Sequence, residues 1–393
     1  MSKIILEISV FFLILFFGFN STSFGFQLLP DLQEENFINK YRFGYIEVNK
    51  VGTGLFSWTP ELEIGDFSLA VDFNLPMGDS KPYGTENIVL RRAEYDGGVF
   101  GICYGILDDL TFGAGLLMKK YNSWSRGPLI LNNRQTGVTG FYSADILEIE
   151  GFGAWNNVYG LRLSEELMYS LTLGQSIIAD ADGMKIEAMG GGGAREYPAM
   201  VGYSVDARIP VIFDFELYSE MAHLGGHGSA YSVGLLWGFK RIFAAATVRV
   251  EKRFVDHDFI PNYFNSDYEI NPIYIDDYSA SKERKDGILV ELRTQAPGVA
   301  FLDVIYEYYE GSDPTFTQEA TLKLFNFFIS AYFKQPSFHD FRELDFDEGT
   351  IFKGSVGYKF SNSITVYSSY KKAYNPFLGQ IDETNFFEVE LVI

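Results

Sequence analysis

Among residues able to do chemistry, a histidine–serine pair comes first. His223, His227 and Ser229 fall within the short run Ala222–Ser229, close enough for an imidazole to take the hydroxyl proton. A working nucleophile of this kind also needs a third group to orient the base, and no acid or amide stands at a matching spacing. Asp256, His257 and Asp258 could hold a water for general-base attack, but no second acidic pair accompanies them. His223 and His227 have a spacing that ligates metal on a helix, yet here they lie in a glycine-rich turn. The chain is therefore not read as an enzyme.

The segment 255–285 gathers Asp256, Asp258, Asp267, Glu269, Asp276 and Asp277. Oxygen-rich loops suit Ca²⁺, a hard cation with roughly 6 to 8 oxygen ligands. The spacing of a calcium-binding loop is absent, so the Ca²⁺ signal is weak; a solvated acidic loop is the simpler reading, and a loop folded inward as a constriction is the alternative. Gly190–Gly193 lacks the Lys-Ser/Thr that completes a phosphate loop. Cys103 is the single cysteine, which excludes an intrachain disulfide. A formal charge of −21 argues against nucleic acid as a partner and mildly for cations.

The elements that position these residues read as strands. Phe67, Leu69, Val71 and Phe73 alternate with Ser68, Ala70 and Asp72, and Tyr231, Val233, Leu235 and Trp237 with Ser232 and Gly234. The same period runs through Leu110, Phe112, Ala114, Leu116 and Met118, and again through Ile242–Val250 and Ile288–Leu292. Helical spacing is not sustained beyond the first residues. With 37 Phe, 25 Tyr and 39 Gly, the composition favours one all-β unit, and no linker divides it.

At the start, Lys3, the apolar run Ile8–Phe17 and the small residues Ser23 and Gly25 read as an export signal over 1–25. Residues 26–50 are then expected to be a periplasmic lead-in and 51–393 a barrel. Three features favour a membrane barrel over a soluble sandwich. The alternating runs are about 9 to 12 residues long, near the length a tilted strand needs to cross a bilayer. Long connections at 121–135, 179–198, 255–285, 337–349 and 375–383 all follow odd-numbered candidates, so they share one rim; only 76–86 breaks the rule. The chain also stops inside a strand, with Phe387, Val389, Leu391 and Ile393 opposite Glu388 and Glu390.

This pattern resembles bacterial outer-membrane β-barrel proteins of porin-like class. The resemblance covers nearly all of the chain after the signal, and its C-terminal strand departs from the usual aromatic ending at Ile393. It implies a single transmembrane antiparallel β-barrel of about 18 strands, in a range of roughly 16 to 20, in the outer membrane of a Gram-negative-type bacterium. The partners it implies are outer-membrane lipid, the barrel assembly machinery through the last strand, and small hydrophilic solutes. A homotrimer suits the class, but no residue marks it.

Strand parity then assigns an inner wall. Arg249, Glu251 and Arg253 face a strand bearing Glu291 and Arg293, which reads as a mutually neutralising ladder. Asp206, Asp214, Glu216 and Glu220 have only Arg208 near them and are the candidates for a cation-preferring pore. The expected function is passive passage of small hydrophilic solutes. Two other readings stay open: a structural or adhesive barrel with a filled lumen, acting through its long loops, and an uptake barrel for apolar substrates.

Overall fold

The computed structural model describes residues 37–393 apart from 49–50, 78–87, 124–135, 182–184, 187–194, 197–198, 213, 241–243, 257, 269–283, 340–345, 347–348 and 376–379. The export signal, the glycines 190–193, His257, Glu269, Asp276 and Asp277 lie outside the described residues.

The alternation places apolar side chains outward and polar ones inward, the reverse of a soluble protein. On the strand Met200–Pro210, Val201, Tyr203 and Val205 are 48–49% exposed, while Ser204 and Asp206 between them are 1% exposed. Such an outer face is stable only against lipid. In lipid every backbone N–H and C=O also needs a partner, so an open sheet edge is excluded. The sheet meets this by closing. Among the described residues twenty strands form one sheet, each antiparallel to its neighbours in chain order. The first, Phe37–Val48, pairs with the last, Gln380–Val392, with Arg42 facing Glu390.

Two segments depart from the sequence expectation. The strand Phe37–Val48 lies in the stretch read as periplasmic lead-in, yet it carries the wall period, with Phe43 and Tyr45 half exposed and Arg42, on the opposite face, buried. It covers the edge that the final strand would otherwise leave open. The run 110–120, read as a wall strand, is instead a hairpin inside the barrel, Leu110–Phe112 paired with Met118–Tyr121. Gly113 and Gly115 turn it at positive φ, 64° and 82°. The barrel thus has twenty strands rather than eighteen. With the first strand added and the hairpin removed, the connection 78–87 joins the other long ones on one rim and the apparent exception disappears. Turns on the opposite rim are two to five residues long, such as 65–66 and 325–326.

The inner hairpin has an apolar seat. Facing inward near the long-loop rim are Phe152, Ala154, Val158, Ile178, Met200, Ala222, Leu224 and Ala230, and Leu116, Leu117 and Met118 pack on them with no exposure. Gly202 makes room, since a Cβ there would lie 2.7 Å from Leu117. A second inward segment, Asp258–Tyr268, completes this core with Phe259, Ile260, Tyr263, Phe264 and Tyr268. Its Phe264–Asn265 adds a parallel strand to Met118–Lys119.

Candidate functional site: a clamped constriction in the lumen

The hairpin tip is fixed by charged groups of the wall. Glu220 accepts the Leu116 N–H at 2.9 Å, and the guanidiniums of Arg208 and Arg249 donate to the carbonyls of Gly113 and Ala114. The tight turn leaves these backbone groups without partners in the hairpin, and the wall supplies them. Lys119 donates to Glu291 at 2.6 Å, and Lys120 pairs with Asp303. Lys119 lies on the hairpin, outside the wall. Its burial pushes the ammonium down to about 8, against the pull of Glu291 and with the help of Arg249.

Beneath the hairpin, toward the short-turn rim, a cavity of about 360 Å³ is bordered by Lys119, Lys120, Arg208, Arg249 and Arg293 against the carboxylates Glu216 and Glu291. Arg208 and Arg293 are its most water-facing charges, with side chains 36% and 40% exposed.

The residues singled out from sequence fall into two groups. Arg249, Glu251 and Arg253 lie together: Glu251 takes both arginines, and Arg253, with no exposure, reaches on to Glu307 and to the Tyr309 hydroxyl at 2.8 Å. Arg249 is 3.8 Å from Glu291, and Arg293 pairs with Asp303 at 3.1 Å. The acidic set is not brought into one open wall. Asp206 is buried and held bidentately by Arg162 at 2.6 and 3.0 Å, with Arg208 at 3.5 Å. Glu220 is buried under the hairpin, Glu216 borders the cavity, and Asp214 sits in a short-rim turn at φ 65°.

His223 Nδ1 lies 2.9 Å from Ser229 Oγ on adjacent strands, and Asp256 accepts the Ser229 backbone N–H at 3.2 Å. The acid therefore engages the serine's backbone, where it cannot orient the imidazole. Among the described residues no group of three or more His, Cys, Asp or Glu could hold a metal.

The sequence reading placed Asp267 in a solvated acidic loop, with an inward fold as the alternative; the described part of that loop, Asp258–Tyr268, lies inside the barrel. Asp267 is 1% exposed and accepts from Lys334 at 2.9 Å and from the Tyr332 hydroxyl at 3.1 Å. Although burial raises it, the Lys334 and Lys353 ammoniums hold its carboxyl down at about 2. Burial pushes the neighbouring Tyr268 phenol up, with Tyr263 and Asp180 adding to the effect. The usable signal was parity: inward positions near the long-loop rim are apolar over many strands, which a water-filled lumen would not favour.

No protein-family model matches the chain. No curated protein matches it either. Solved structures with a similar fold include OccAB4 of Acinetobacter baumannii, 9% identical over 91% of this chain and 97% of that one, with a TM-score of 0.39. OccK2 (OpdF) of Pseudomonas aeruginosa is 8% identical over 91% and 97%, with a TM-score of 0.41. OpdK of Pseudomonas aeruginosa, solved with vanillate, is 8% identical over 91% and 98%, with a TM-score of 0.39.

Proposed function

We propose that this chain is an outer-membrane channel of porin-like class for small hydrophilic solutes, narrowed by its inward hairpin. The observation that carries the reading is the cavity of about 360 Å³ lined by charge inside a closed barrel whose outer face is apolar. Charges on a lipid face would each cost roughly 2–4 kcal/mol for Lys or Arg at the midplane, so their confinement inside fits a polar lumen. The cation preference expected from the acidic residues finds little support. Asp206 and Glu220 are spent on Arg162 and on the hairpin backbone, whereas five cations and two carboxylates border the cavity. Anions are the better-suited solutes.

The test is single-channel conductance of the refolded protein in a planar bilayer under a salt gradient. Open steps with a reversal potential of anionic sign support the reading. A folded barrel with no conductance above the bare bilayer would sink it. That outcome would favour the filled-lumen reading, which the apolar packing of the two inward segments makes the second choice.

A further inference from the structure

The inner wall changes character on the last six strands, Ala300–Tyr309 to Gln380–Val392. One row across them runs Phe301, Thr321, Ser330, Ser355, Ser369 and Phe386, each facing the next in register. Neighbouring strands lie about 4.8 Å apart, so the hydroxyls span about 14 Å, with an aromatic ring at either end. Asp303, on the same face as Phe301, meets the hairpin's Lys120, so this face points into the lumen. Thr321 is exposed there, and Ser330, Ser355 and Ser369 are half-buried. The Ser330 and Ser355 hydroxyls share a hydrogen bond of 2.6 Å.

One row nearer the short-turn rim lie Lys323, Phe328, Gly357 and Tyr367. The Tyr367 ring covers Gly357, where a Cβ would come within 2.7 Å of it. A cavity of about 370 Å³ results, lined by Phe301, Phe328 and Tyr367 together with Thr321, Ser330 and Ser355.

Solute classes meet this lining differently. An apolar solute would strip water from the hydroxyls without replacing their hydrogen bonds. A cation would approach rings that already carry one, since Lys323 lies 5.3 Å from the Phe328 centroid and Arg293 5.9 Å from that of Phe301. An anion would meet the negative faces of the rings, and would find those two cations only at the margins of the row. A sugar ring matches both parts of the lining. Its hydroxyls donate and accept, as those of serine and threonine do, and its C–H faces suit the aromatic rings.

We propose that this wall is a binding subsite for a neutral polyhydroxylated solute, a short oligosaccharide lying along the hydroxyl row with ring faces on Tyr367 and Phe328. Passage of that solute rests on the channel reading; its binding to the wall does not.

The experiment is saturation-transfer NMR on the full refolded chain, with maltotriose as the probe and heat-modifiable gel mobility as the check on folding. Maltotriose should receive more saturation than glycerol at equal concentration, because glycerol has hydroxyls but no ring face. Tyr367→Ala should weaken maltotriose binding by about threefold to tenfold, for the loss of one aromatic partner. Ser330→Ala combined with Ser355→Ala keeps the rings and should weaken binding by a similar factor. That double variant carries the test alone if Tyr367→Ala does not refold. Three results overturn the subsite: no transfer to maltotriose, equal binding in the folded variants, or displacement of the sugar by acetate but not by chloride.

Bilayer recordings separate the two readings. Sugar binding without open steps keeps the subsite and removes the channel. Open steps without sugar binding keep the channel and remove the subsite.

Discussion

Lys119 and Lys120 are adjacent in sequence, yet both reach the same side of the lumen, Lys119 to Glu291 and Lys120 to Asp303 on the next strand. Neighbouring side chains of a strand point to opposite faces. Here Lys120 takes φ 55°, a left-handed conformation uncommon for a residue with a Cβ, and this twist turns the pair onto one wall. The two ion pairs hold the hairpin across the barrel from its apolar seat.

Lys119→Met tests whether that clamp sets lumen charge. The substitution keeps the aliphatic bulk and removes one cation from the cavity border, leaving Glu291 with Arg249 and Arg293, each at 3.8 Å, as its nearest remaining cations. The reversal potential under a salt gradient should move toward cations. Because burial costs this ammonium more than Glu291 returns, stability at pH 7 should hold or rise, read as an unchanged or higher urea midpoint. An unchanged reversal potential would place Lys119 outside the conduction path.

The same residue gives a pH dependence. Lys119 titrates near 8, within reach of ordinary bilayer work. As pH rises from 7 to 9 the ammonium is lost, so anion preference should weaken with a midpoint near 8, and the step should vanish in Lys119→Met. The stability effect has the opposite sense from a gained ion pair. Because the folded value lies below the unfolded value of about 10.4, the burial penalty applies in full below about 8 and is relieved as pH rises toward that unfolded value. This group therefore makes unfolding harder, not easier, across that window.

Closure of the barrel depends on a strand that the sequence reading set aside. A chain beginning at Phe37 should refold to a heat-modifiable barrel. One beginning at Val51 should not, because Gln380–Val392 would lose every partner from Lys40 to Val48 and expose an edge in lipid. Equal refolding of the two, judged by gel mobility, would mean that the strand is dispensable.

Much of the wall was legible because alternation has a single physical cause: one face meets lipid and the other does not. Arg249, Glu251, Arg253, Glu291 and Arg293 could be placed on the inner face from parity alone. The hairpin was illegible for the same reason. Leu110, Phe112, Ala114, Leu116 and Met118 alternate as a wall strand does, but the surface they meet is the apolar patch around Phe152 and Ile178. Period reports that a strand has two unlike faces, not which solvent or protein surface each one touches. The acidic set was less legible. Asp206 and Glu220 are buried, and whether an inner carboxylate meets water or is consumed by Arg162 and a folded-in backbone depends on long-range contacts that spacing does not encode.

Arg253 offers the sharpest test of that buried network. It has no exposed surface and bridges Glu251 and Glu307 while donating to Tyr309. Removing one partner from a buried pair leaves an uncompensated charge and typically costs about 3–5 kcal/mol. Arg253→Met should lower the unfolding midpoint accordingly. The two carboxylates are not equally affected, because Glu251 keeps Arg249 while Glu307 loses Arg253. Neutralising Glu307 should therefore repair part of the damage. Arg253→Met with Glu307→Gln is expected to be more stable than Arg253→Met alone, and Arg253→Met with Glu251→Gln less so, since the latter also strips Arg249 of its partner. If both double variants behave alike, the charges are coupled through water rather than through the contacts described, and the lumen at this level is wetter than the packing implies.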